Sequence, residues 1–226
     1  MINKSSLEEI QSVLQPHKTR LIVVTKTHPI EVLQKAYNLG LRTFGENKVQ
    51  EMVGKAEGLP NDIQWHLIGH LQSNKVKYIA PFVCMIHSVD SFKLLEEINK
   101  EAKKNNRIIQ CLLQVYIANE DTKFGLSTDE LMDILTNPKL EKLENIDIQG
   151  LMGMATNTAD QNQIRKEFHF LKGLFTELSA TIQKNNVHWN ELSMGMTSDY
   201  KIAAEEGSTM VRIGSAIFGH RQHFKI

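Results

Sequence analysis

Lys26 stands where an ammonium is costly. It follows Leu21, Ile22, Val23 and Val24 in "LIVVTKTHPI", an apolar, β-branched run of the kind that forms a strand buried on both faces. Two chemistries fit a lysine there. Its stem can lie on apolar surface while the charge snorkels to water. Alternatively the amine sits in a dry pocket, where desolvation lowers its pKa from ~10.4 toward neutrality and leaves it able to attack an aldehyde.

The last apolar run carries groups of a complementary kind. "GSTMVRIGSAIFG" leads through Arg212 into Gly214, Ser215 and Ala216, small residues opening a short helix whose N–H groups can face an anion. A tight strand–helix turn accounts for Gly214 equally well. "LSMGMTSDY" places Ser193 and Gly195 at a second such turn, and two adjacent turns favour a phosphate site. Arg212 lies among Met210, Val211 and Ile213, and a buried guanidinium needs a partner. That partner is either a carboxylate on a neighbouring strand or an acceptor on a ligand. Glu46, Asn47 and His66 also fall at or after apolar runs, with His66 facing either the core or a ligand. Lys123 in "EDTKFG" either closes over the same mouth or is exposed. The nine histidines contain no HxH or HExxH spacing, so no metal site is expected.

These residues must be carried by elements, and the chain alternates them regularly. Strand-like runs occur near 21–25, 41–46, 63–69, 82–89, 107–117, 146–154, 190–195 and 209–215. Between them lie helical patterns: 29–40 with Pro29 in its first turn and Gly40 at its end, 47–57, 73–80, and one with Phe92, Leu95, Ile98 and Ala102 on a single face. Ser127 and Glu130 have capping-box spacing. Ile164, Phe168, Leu171, Phe175, Leu178 and Ile182 alternate three- and four-residue steps. A further helix is expected over 5–15. Eight strands of buried type, with helices between them, predict a single-domain (β/α)8 TIM barrel over residues 1–226. The alternative is a doubly wound open sheet, because periodicity does not report closure. In a barrel, functional groups gather at the carboxyl ends of the strands, where Lys26, Asn47, Ser193, Arg212, Gly214 and Ser215 all fall.

Composition narrows the classes of function. A chain of 226 residues with 26 basic and 26 acidic side chains is poorly suited to bulk binding of nucleic acid or anionic membrane. It can bury about seven-tenths of its unfolded surface without a staple. Cys84 and Cys111 lie in apolar runs with no CxxC spacing and read as reduced core residues. No signal core and no run of ~20 apolar residues is present, so a cytoplasmic protein is expected.

Taken together, "VVTKTHP", "FGENKVQE", "WHLIGHLQSNK", "EDTKFGL", "GLMGMA", "LSMGMTSDY" and "GSTMVRIGSAIFG" resemble the pyridoxal phosphate homeostasis protein family, in order from about residue 21 to 221. The resemblance implies a barrel like that of alanine racemase without its additional β domain. It implies pyridoxal 5′-phosphate held as a Schiff base on Lys26, which matches the lysine of the family's "SKT" motif. Ser193, Gly214 and Ser215 match the phosphate-holding residues, with the backbone near Met194 contributing. Arg212 matches the arginine beside the pyridine nitrogen, and Asn47 and His66 would line the ring. Thr25 replaces a frequent serine and Ser215 a frequent threonine, so both hydroxyls are kept. His28 replaces a common lysine and alters the charge near the mouth.

A permanent cation beside the pyridine nitrogen makes the cofactor a weaker electron sink. The resemblance also implies that the residues of a second acid/base, which a racemase's additional domain supplies, are missing. The resemblance therefore implies a monomeric carrier in vitamin B6 homeostasis, holding pyridoxal phosphate without robust catalysis and passing it to apo-enzymes. The competing readings are a racemase of low activity and a barrel used only as scaffold.

Overall fold

The structure is a computed structural model, described over residues 2–119 and 124–219; Lys123 lies outside them. Its centre is a closed barrel of eight parallel strands. In chain order they are β1 (Arg20–Val24), β2 (Thr43–Glu46), β3 (Gln64–Leu67), β4 (Met85–Val89), β5 (Ile109–Gln114), β6 (Ile146–Met152), β7 (Val187–Ser193) and β8 (Met210–Ile213). Each pairs with the next, and β1 pairs with β8 through Arg20↔Met210 to Val23↔Ile213. That last ladder settles closure, so the fold is a (β/α)8 TIM barrel and not an open sheet.

Helices α1 (Lys4–Leu14), α2 (Ile30–Asn38), α3 (Val49–Glu57), α4 (Val76–Ile79), α5 (Phe92–Lys104), α6 (Thr128–Thr136), α7 (Gln161–Thr181), α8 (Tyr200–Glu205) and α9 (Ser215–Phe218) accompany the strands. Their ends follow local chemistry. Pro29 caps α2, and Gly40 beyond it takes a left-handed φ of 89°, which glycine adopts without a Cβ penalty. Ser127 and Glu130 form both bonds of the expected capping box. Asp160 caps the long α7 by accepting from the N–H groups of Asn162 and Gln163.

Two apolar layers hold the barrel. One large cluster fills the space between strands and helices, with Phe44, Leu67, Phe168 and Leu171 fully buried in it. A small plug of Ile22, Met85, Leu112, Met152 and Met210 fills the inside, as barrel interiors require. Among the described residues no helix is long and apolar enough to cross a membrane.

The structure departs from the sequence reading at several elements: β4 starts at Met85, three residues late, and β5 ends at Gln114, three residues early. Strand β7 begins at Val187, three residues before the expected start, and its early part is half open to solvent. The segment 73–80 is a 3-10 turn running into the one-turn α4. Helix α8 was not expected, since six residues are too few to show a helical period.

Candidate functional site

Parallel register brings the ends of β1, β2 and β8 to one mouth. Val24 pairs with Gly45, and Ile22 with Arg212. Above the plug they open a cavity of about 710 Å³. Of the expected residues, Lys26, Asn47, Arg212, Gly214 and Ser215 line it. Lys26 is half-buried there. The wall near Lys26 is backbone. A Cβ on Gly214 would stand 2.7 Å from the Val24 carbonyl oxygen, closer than real Cβ contacts, so only glycine lets β8 approach β1 there. Thr197 and Ser215 add hydroxyls to the lining, 3.1 Å apart.

His66, Ser193 and Met194 are placed differently. All three are buried, and none is among the residues that line the cavity. Met194 donates its N–H to the Met210 carbonyl at 3.2 Å and to Ser208 Oγ at 3.4 Å, so that donor is already used within the sheet. Ser193 Oγ accepts from Arg212 Nη1 at 2.6 Å and meets His87 Nδ1 at 2.9 Å. His66 Nδ1 meets His87 Nε2 at 2.9 Å. The result is a buried polar chain, His66–His87–Ser193–Arg212, running across the barrel interior. His66 thus takes the core-facing alternative. Neither tautomeric sense of the chain leaves either of the two His87 contacts unmade.

The electrostatics of this chain follow from burial. Desolvation pushes His66 down to about 3, and the Arg20 guanidinium adds to it. His87 is held well below its ordinary value by burial first, then by His66, Arg212 and Arg20. Both imidazoles are therefore neutral near pH 7. Burial lowers Arg212 to about 10, against the pull of the Asp199 carboxylate, so the guanidinium stays charged. Its hydrogen-bond partners within the protein are a serine and two main-chain carbonyls, not the carboxylate of a neighbouring strand. Nη1 donates to Ser193 Oγ and to the Ser193 carbonyl at 2.9 Å, and Nη2 to the Gly153 carbonyl at 3.1 Å. Three of five N–H donors thus pin the guanidinium to β7 and to the end of β6, while the residue also faces the cavity.

The turn after β1 has its own support. Thr25 Oγ1 donates to Glu46 Oε1 at 2.6 Å, and the Thr27 N–H to the Glu51 carboxylate. Lys55 from α3 bonds both carboxylates. Sequence reasoning missed His87, Lys55, Glu51 and Asp199. His87 could have been flagged as a polar residue inside the buried run "FVCMIHSV". Glu51 and Lys55 have i,i+4 spacing, which reads as an ordinary surface pair.

A family model described as alanine racemase, N-terminal domain, matches residues 4–222. A curated relative from Aquifex aeolicus, the pyridoxal phosphate homeostasis protein, is 40% identical over 205 residues, 90% of this chain and 88% of its own length. The solved structure of PipY from Synechococcus elongatus without PLP superposes with a TM-score of 0.87 at 35% identity, covering 95% of this chain and 99% of PipY. PipY with PLP bound superposes at 0.84, also at 35% identity and with the same coverage.

Proposed function

The chain belongs to the pyridoxal phosphate homeostasis protein family, within the alanine racemase N-terminal-domain family, and on that premise we propose that it binds pyridoxal 5′-phosphate as a Schiff base on Lys26. The observation that carries the reading is that Lys26, Arg212 and Ser215 line one cavity. A primary amine, a fixed guanidinium and a hydroxyl-rich turn are the donors that this cofactor's aldehyde, pyridine nitrogen and phosphate require. When bound, the group supplies a reactive aldehyde. Lys26 would hold the group through its amine, a C=N bond to that carbon replacing the C=O bond with loss of water.

The roles of the other residues follow. Ser215, Thr197 and the backbone around Gly214 receive the phosphate, and Asn47 borders the ring. Ser193 and His66, matched to the ligand by resemblance, act instead through Arg212, because Ser193 holds the guanidinium and His87 joins His66 to Ser193. The Arg212 donors not engaged by β7 and Gly153 would be left for the pyridine nitrogen. A cation there disfavours ring protonation and weakens the electron sink. That supports a carrier: a cytoplasmic, single-domain monomer that holds the cofactor reversibly, limits free aldehyde and hands it to apo-enzymes.

Titration with pyridoxal phosphate, followed by visible absorption, tests the binding. A yellow band is expected with the wild type and not with Lys26→Ala. Adding amino acids in deuterium oxide then separates carrier from racemase. No deuterium at the α-carbon fits the carrier, and steady incorporation would make the protein an enzyme. Size-exclusion chromatography with light scattering tests the monomer.

A further inference from the structure

Behind the turn that carries Lys26, just after β1, lies a buried ion cluster outside the cavity. Lys55 is 5% exposed and Glu46 is fully buried. The Lys55 ammonium reaches Glu46 Oε1 at 2.6 Å, Glu51 Oε1 at 2.7 Å and the Thr25 main-chain carbonyl at 2.7 Å. Those three acceptors match the three donors of an ammonium. Each carboxylate then grips a neighbour of Lys26. Glu46 accepts from the Thr25 hydroxyl at 2.6 Å, and Glu51 from the Thr27 N–H.

The geometry has a direction. Strand alternation turns Gly45 inward, against Ile22 of the interior plug, and Glu46 outward, where it meets α3. Thr25 follows Glu46 outward to Lys55, while Lys26 lines the cavity. Thr27 adopts a left-handed φ of 67°, a conformation that costs a β-branched residue about 1–3 kcal/mol and persists only where the surroundings impose it. The Glu51 carboxylate on its N–H is such a constraint.

Stability alone is a poor account of this cluster. A buried ion pair is frequently no better than apolar residues of the same volume. Burial raises the Glu46 carboxyl against the opposing bonds from Lys55 and Thr25, and Glu46 Oε2 makes no hydrogen bond among the described residues. What the cluster achieves is convergence on the two residues that flank Lys26.

We infer that Lys55 is a positioning residue: through Glu46 and Glu51 it fixes the backbone on both sides of Lys26, so that the Lys26 amine is presented to the cavity in one orientation. The inference rests on the reading that Lys26 is the amine that bonds the cofactor, and it names what aims it.

The test compares wild type with Glu46→Gln/Lys55→Met, which removes both charges of the buried pair together. Two readouts are taken on folded protein, as judged by circular dichroism. The first needs no cofactor: hydrogen exchange of the Thr27 amide. The second is the rate at which pyridoxal phosphate develops the yellow band. Without Lys55 the Glu51 carboxylate is no longer held at the Thr27 N–H, and loss of that hydrogen bond to a charged group predicts Thr27 exchange faster by about tenfold, with band formation slowed by about the same factor. Unchanged Thr27 exchange, or faster exchange with an unchanged rate of band formation, overturns the inference. Should the double variant not fold, Glu51→Gln, altered at a half-buried carboxylate, carries the same comparison with the same criteria. A wild type that forms no band would overturn the Schiff-base reading and this inference's link to it. The Thr27 exchange would still decide whether the clamp exists.

Discussion

The guanidinium of Arg212 donates to Ser193 Oγ over 2.6 Å, and the same hydroxyl lies 2.9 Å from His87 Nδ1. Ser193 is thereby the joint between the cation at the cavity and the two neutral imidazoles beneath it. Ser193→Ala removes the joint and leaves buried polar groups on both sides short of a partner. A loss of about 1–3 kcal/mol is expected, measured as the free energy of unfolding in urea. An unchanged value would mean that the chain is not coupled through Ser193.

Arg212 is held by a fork. Arg212→Lys keeps the charge but cannot reach two oxygens of Ser193 and the Gly153 carbonyl with one planar group. Retention of pyridoxal phosphate should weaken by about tenfold or more, the equivalent of ~1.4 kcal/mol. Equilibrium dialysis measures it. Equal affinity would remove Arg212 from the ring.

Ser215 is assigned to the phosphate and not to the aldehyde. Ser215→Ala should therefore weaken pyridoxal phosphate by about 1 kcal/mol, several-fold in affinity, and leave pyridoxal, which lacks the phosphate, unaffected. Parallel titrations with the two aldehydes decide. An equal effect on both would move the phosphate elsewhere.

The buried histidines give the fold an acid limit. His66 is depressed from 6.5 to about 3, and His87 is lowered well below 6.5. Below pH 6.5 the unfolded chain protonates both while the folded chain protonates neither, until pH nears 3 for His66. The unfolded state then binds more protons, so stability is full above 6.5 and is lost as pH falls. Glu46 and Asp199, whose carboxyls burial raises, act in the opposite sense, so the difference between two proteins isolates the imidazole. Between about pH 7.5 and about pH 5.5, His87→Gln should lose about 1.4 kcal/mol less stability than wild type. Urea unfolding at the two pH values measures it, and identical losses would mean that His87 is not held neutral.

Much of this architecture was legible in the sequence. Runs such as "LIVV" and "CLLQV" cannot alternate inward and outward polarity, so they read as buried parallel strands, and eight of them suggest a barrel. Closure itself was not legible, because it resides in the pairing of Arg20–Val23 with Met210–Ile213, at opposite ends of the chain. At the site, Lys26 and Gly214-Ser215 stood out because a cation and a small-residue turn interrupt apolar strands. The partners did not stand out. Ser193 and His87 are 106 residues apart, and no local pattern announces that a serine will support an arginine instead of touching a ligand. Met194 was matched through its backbone, whose N–H the neighbouring strand already uses. Lys55 did not stand out either, since its burial depends on how α3 lies against β1 and β2.

Lys26 is the amine proposed to bond the cofactor, and trapping the bond by reduction tests this directly. The protein is incubated with pyridoxal phosphate, reduced with borohydride to convert any C=N bond into a stable secondary amine, digested, and mapped by mass spectrometry. A single phosphopyridoxyl group on Lys26, absent from Lys26→Ala protein of unchanged circular dichroism, is the predicted result. Label distributed over surface lysines, or concentrated on any lysine other than Lys26, would contradict it.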